Sequence, residues 1–379
     1  MARAGYRAAM QGFRFRSLAR WRLRCVAAAI TSSALGLAGP ALAAAPFYSG
    51  VSFANAHRGA VLVDRCSKRG CRPKLLLTAD GGRSWRDARV PGRGELWGEQ
   101  AGQGIVFASR RRRLYRSLDG GFRWRLVPLP GTLLDWEARS TGAWAITKPC
   151  RRLRPCEPRL WHSPDAGRTW YFTTLRDASR RTTLKFEFDI SFADAADGAV
   201  LYMRRDESYA LALTDDGGHR WSTVRAPCGR GYSQSATIAR GRASALWVGC
   251  ATGRGTGDQG HQIFVSSDGG RHFAERIRAP FAKRAVLGHG LDGFGYLSEI
   301  SACSPRSAAV ELFRGGLFRT DDGGRSWRRL RGIPFGDGAE FAGTALVSDC
   351  AHLWEALSAT GLFESTDGGH QWAENHAVR

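Results

Sequence analysis

An all-β, seven-bladed β-propeller is the fold this sequence predicts, and three observations predict it. An eight-residue pattern, Ser/Thr-x-Asp-Gly/Ala-Gly-x-x-Trp/Phe, is written seven times, around Asp80, Asp119, Asp165, Asp216, Asp268, Asp322 and Asp367. The intervals between these aspartates are 39, 46, 51, 52, 54 and 45 residues, enough in each case for one four-stranded sheet. Helical periodicity is absent, while short apolar or alternating runs bounded by glycine recur along the chain.

Each box reads as the hairpin turn between the two outer strands of a blade. An apolar run leads in, as in Leu75 to Leu77, Ile263 to Val265 and Leu362-Phe363. The carboxylate is placed to accept backbone N–H groups of its own turn. The glycines supply positive φ without a Cβ clash. The closing aromatics, Trp85, Trp124, Trp170, Trp221, Phe273, Trp327 and Trp372, are expected to open the last strand and pack under the turn. Further in, Lys185 to Ile190 alternates as a half-buried inner strand should, and Ala199 to Tyr202 and Ala245 to Val248 read as buried second strands. The last outer strand is expected over Gln371 to Val378, with no evident partner for closing the ring.

The first 43 residues carry seven arginines and no acid, then an apolar stretch from Cys25 to Leu37 and the small residues Ala41-Leu42-Ala43. This predicts a signal peptide over 1–43 and one propeller domain over 44–379, in a periplasmic or secreted location and without a membrane anchor. Of the nine cysteines, one falls in the leader. The remaining eight predict disulfides in an oxidising compartment. Matching loop positions predict Cys66–Cys71 and Cys150–Cys156, strand register predicts Cys228–Cys250, and matching inner loops predict Cys303–Cys350. A zinc site would need a C-x-x-C pair or a histidine cluster, so neither metal nor cofactor is expected.

These boxes resemble the Asp-box, or BNR, repeat of sialidases, related glycosidases, sortilin-type receptors and photosystem II assembly-factor-like propellers. The resemblance runs from about Phe47 to Ala377. It implies the propeller fold and leaves enzyme and scaffold both open. It also implies that the boxes share one rim, with the loops joining second and third strands opening on the opposite face. Those loops are basic in four blades: Arg65, Lys68, Arg69 and Arg72; Arg110, Arg111, Arg112 and Arg113; Lys148, Arg151, Arg152 and Arg154; and Arg204 with Arg205. The chain carries +22 overall, so an acidic partner is expected on this face. Against that stands a bias of 51 arginines to five lysines, which a GC-rich genome would also produce.

The expected partner is a membrane or envelope protein or an acidic glycan, bound by a monomer that also has the charge to associate peripherally with a membrane. Export and the lack of a recognised module exclude nucleic acid. The glycine-rich stretch from Cys250 to Gly260 lacks the following helix of a phosphate loop. For an enzyme, carboxylates would have to face one another across the channel, and Asp135, Glu137, Glu187, Asp189, Glu299 and Glu340 fall on or near inner strands. A Phe/Tyr-Arg-Ile-Pro signature is missing from the first blade, and no G-x-S-x-G motif is present. The sequence thus favours a non-catalytic binding or assembly scaffold, with a sialidase-like hydrolase or carbohydrate-binding propeller as the alternative.

Overall fold

The computed structural model describes residues 47–378 except 68–69, 94, 151–155, 179–187, 230–234, 253–259, 280–295, 314, 334–340, 347–348 and 358–359. The leader, Lys68, Arg69, Arg151, Arg152, Arg154, Glu187, Glu340 and most of the glycine-rich stretch therefore lie outside the described residues.

Seven four-stranded antiparallel sheets are each made from four consecutive strands. Blade 1 runs from Phe47–Phe53 to Arg86–Asp87, blade 2 from Leu96–Gln100 to Arg125–Leu126, and blade 3 from Thr132–Arg139 to Tyr171–Thr174. Blade 4 runs from Phe188–Phe192 to Ser222–Arg225, and blade 5 from Ser235–Arg240 to Ala274–Ala279. Blade 6 spans Tyr296–Ala302 to Arg328–Arg329, and blade 7 spans Phe341–Leu346 to Ala373–Glu374. In every blade the first strand is innermost.

Burial follows radial position. The second strand of blade 3, Gly142–Lys148, and the third strands Tyr209–Thr214 and Gly260–Ser266 are buried at every residue. Neighbouring blades cover both faces of these strands, which is why Tyr209–Thr214 reads as an almost unbroken apolar run. The outer strand Tyr171–Thr174 is almost wholly exposed. Seven apolar clusters fill the seven seams, one between each pair of adjacent blades.

The ring closes between blades 7 and 1 with no shared strand. Phe53 stacks on Trp354 at 4.2 Å, and Val378 is buried in the same cluster. The expected strand from Gln371 to Val378 shortens to Ala373–Glu374 followed by a 3-10 turn over His376–Val378. Asn375, between them, donates its Nδ2 to the Gly82 carbonyl at 2.9 Å and accepts from the Trp85 indole at 3.3 Å. A side-chain clamp thus does what a borrowed strand would otherwise do.

Candidate binding surface

The seven boxes form one repeated hydrogen-bonded unit. In each, the Ser or Thr hydroxyl donates to the aspartate at 2.7–2.9 Å. The same hydroxyl accepts the second glycine's N–H at 2.7–2.9 Å. The aspartate accepts the N–H four residues on at 2.8–3.0 Å. Stabilisation of the ionised carboxylate by these donors holds Asp80, Asp165 and Asp322 down at about 2. All seven closing aromatics, from Trp85 to Trp372, sit one residue before the outer strands rather than opening them. The residue after each aspartate donates its N–H to a carbonyl of the inner hairpin turn: His57, Gly104, Thr141, Ala196, Ser244, Arg306 or Ala351. The carboxylates are thereby committed to turn structure, and each box locks the outer hairpin to the inner one. Inner turns of blades 1, 4, 6 and 7 are themselves capped by Asn55, Asp194, Ser304 and Asp349, a second recurrence that sequence reading missed.

Antiparallel pairing places the loops between second and third strands at the opposite end of each blade. Arg65 and Arg72 are exposed there on blade 1. On blade 2, Arg111 and Arg113 are exposed, and Arg112 lies between them half-buried. Arg111 and Arg112 occupy the hairpin tip with φ of 51° and 60°, the left-handed region where Asn-Gly is the cheap choice. Arg110 differs. It is buried, and its guanidinium donates to the carbonyls of Val90 at 3.0 Å, Gly92, and Pro73 at 3.4 Å, fastening blade 2 to blade 1. Lys148 is likewise buried. In blade 4, Arg204 pairs with Asp177 at 3.0 Å and Arg205 with Glu157 at 2.9 Å. The exposed cationic stretch among the described residues therefore centres on blades 1 and 2.

The channel carboxylates act mainly as fasteners. Asp135 accepts the Ile190 N–H at 3.0 Å, Glu137 that of Phe192 at 3.1 Å, and Asp189 that of Ile238 at 2.7 Å. Each reaches the inner strand of the next blade. Glu137 also pairs with Arg139 at 2.7 Å. Each of these acids thereby spends one carboxylate oxygen on joining two blades. Blades 6 and 7 hold a different group: Glu311 and Glu355, both fully buried, share the Thr344 hydroxyl at 3.3 and 2.5 Å. Burial, with the neighbouring carboxylates including Glu299, pushes both well above the usual carboxylate range.

Disulfides join Cys150 to Cys156, Cys228 to Cys250 and Cys303 to Cys350. Cys66 and Cys71 are register partners across the blade 1 hairpin. Among the described residues no cluster of His, Cys, Asp and Glu could hold a metal ion, and no helix is long and apolar enough to cross a membrane. The three bonds suit an oxidising compartment.

Fold and turns together define a seven-bladed β-propeller with one box per blade. No family model matches the chain, and no curated protein matches it. Among solved structures it is similar to YCF48 bound to D1 peptide, with TM-score 0.52 and 15% identity over 86% of this chain and 94% of that one. It is similar also to YCF48 from Cyanidioschyzon merolae, with TM-score 0.52 and 16% identity over 86% and 97%. The propeller domain of the Trilobed protease from Pyrococcus furiosus, described as having an open velcro topology, matches with TM-score 0.50 and 6% identity over 87% and 98%. At these identities the likeness is one of fold.

Proposed function

We propose that this protein is an exported, non-catalytic propeller that binds an acidic segment of a membrane or envelope protein on its loop face. The observation that carries the reading is the hairpin tip Arg111-Arg112. Two arginines stand in left-handed conformations there, where glycine or asparagine would relieve steric strain of about 1 kcal/mol per residue. Arg111 is exposed at that tip, so its charge stands in solvent where an acidic partner can meet it. Arg65, Arg72 and Arg113 extend the cationic surface. The sequence assigns Lys68, Arg69, Arg151, Arg152 and Arg154 to the same face. Further support comes from the use of Asp135, Glu137 and Asp189 as inter-blade fasteners, and from a similarly folded protein described as bound to a peptide.

The test is affinity capture from the protein's own cell envelope at low and moderate salt, comparing wild type with an Arg111→Glu/Arg113→Glu variant. A partner protein retained at low salt, released by moderate salt and lost from the variant is the expected result. Arg110 is left intact because its removal would strand three backbone carbonyls and confuse unfolding with lost binding. Capture of glycans alone, or equal capture by both proteins, would overturn the reading.

A further inference from the structure

Large apolar side chains are exposed at six positions among the described residues, and five of them lie in blades 2 and 3: Leu118, Phe122, Leu126, Tyr171 and Phe172. They occupy the box turn and outer strand of blade 2 and the outer strand of blade 3, on the circumference of the ring rather than on the loop face. Phe122 projects from its turn with 71% of its surface exposed. Among the described residues no other outer strand carries such a residue.

Guanidinium groups are interleaved with these side chains. Arg86 lies over the Phe122 ring at 4.2 Å and Arg159 over the Phe172 ring at 4.5 Å. Arg123, Arg125 and Arg168 are exposed between them. The box carboxylates of these blades, Asp119 and Asp165, are occupied by their own turns. From this arrangement we infer that the outer edge of blades 2 and 3 docks on an anionic lipid bilayer, aromatic and leucine side chains entering the interface and arginines meeting phosphate.

Composition and shape favour a bilayer over a protein partner. A protein interface closes over a contiguous apolar centre packed as densely as a protein interior. Here two of the three exposed rings lie under an arginine, Tyr171 stacks on His162, and the surface is the convex outside of a ring. Aromatic tips mixed with cations are the chemistry of the membrane–water interface. Anionic headgroups complement the charge, each basic residue near such a surface strengthening binding about fivefold.

The experiment is flotation of the folded protein with vesicles of phosphatidylcholine alone and of phosphatidylcholine mixed with phosphatidylglycerol. Flotation with the anionic vesicles only is expected. A Phe122→Ser/Phe172→Ser variant should partition about tenfold more weakly, and an Arg123→Glu/Arg125→Glu variant at least twentyfold more weakly. Both pairs are solvent-facing, and unchanged thermal unfolding will verify that the variants fold. The Arg111→Glu/Arg113→Glu variant alters the other surface and should float like wild type, which separates this inference from the proposed function. Absence of flotation with anionic vesicles, indifference to both substitutions on the outer edge, or loss only in the loop variant would overturn it. So would retention of an acidic polypeptide through Phe122 and Phe172 by a protein that ignores vesicles.

Discussion

The seam between blades 3 and 4 and the two seams flanking blade 7 join equivalent sheets by different means. Between blades 3 and 4, Trp144 stacks on Phe192 and donates its indole N–H to Gly217 at 2.8 Å, while Asp135 and Glu137 each accept a backbone N–H across the seam. Between blades 7 and 1, Trp354 stacks on Phe53 in the same way, but its buried indole N–H has no partner among the described residues. Between blades 6 and 7, the carboxylates of Glu311 and Glu355 face one hydroxyl, and among the described residues the Oε1 atom of Glu355 has no hydrogen-bond partner. There the disulfide Cys303–Cys350 crosses the seam. A carboxylate beside a backbone N–H fastens two blades, whereas a carboxylate beside another carboxylate weakens the join. Between blades 6 and 7 the disulfide stands beside arginine bonds, Arg319 donating to the Cys350 carbonyl at 2.6 Å and Arg328 to those of Gly368 and Gly369, which together offset the opposed acids.

Breaking the well-bonded seam is expected to have the largest effect. Glu137→Ala strands the Phe192 N–H and leaves Arg139 with the Phe192 carbonyl but no carboxylate, and should cost about 3–5 kcal/mol in chemical denaturation. Loss of the cross-seam disulfide by Cys303→Ser/Cys350→Ser opens a loop of 47 residues and should cost about 2–4 kcal/mol. A smaller penalty than from Glu137→Ala fits a supplement to the apolar cluster and arginine bonds of that seam; a larger one would make the disulfide the principal join of blades 6 and 7.

The acid pair offers a substitution of opposite sign. Because the folded-state pKa values of Glu311 and Glu355 are raised, their contribution to stability is complete below the ordinary carboxylate range and declines as pH rises through the folded values. Glu355→Gln should leave stability nearly unchanged at about pH 4 and raise it by about 1–3 kcal/mol at alkaline pH, flattening the profile. A variant that is less stable at every pH would contradict this. The box aspartates carry the reverse dependence. With Asp80, Asp165 and Asp322 held at about 2, their contribution is present above the ordinary aspartate range and fades as pH falls toward that value. The finest comparison is between the two tryptophans. Trp144→Phe loses a hydrogen bond that Trp354→Phe does not, so the former should be more destabilising by about 1 kcal/mol in thermal unfolding.

Much of this architecture is legible before folding. Seven boxes can be read because each closes its hydrogen bonds within eight residues, from hydroxyl to carboxylate to backbone. The buried second strand was readable from Ala199 to Tyr202 for a similar reason: enclosure on both faces leaves a continuous apolar run. The site was less legible. Arg110 and Arg111 are neighbours of identical type, yet one is buried against three carbonyls and the other is exposed at a turn tip. Nothing in their order distinguishes them, since the carbonyls belong to blade 1 and the strand connection. The outer aromatics were missed because Phe122 occupies a variable box position and Tyr171-Phe172 looks like any strand.

By itself, then, the sequence determined the number of blades, the turn that builds each one and the cysteine pairing now seen in three bonds, all properties of short segments or repeated register. Tertiary structure decided which acids fasten and which oppose one another, which arginines are exposed, and how the last blade meets the first. The physical reason is reach. Asp189 meets the Ile238 N–H, 49 residues away, and Asn375 meets Gly82, 293 residues away, only after the ring has brought their blades together.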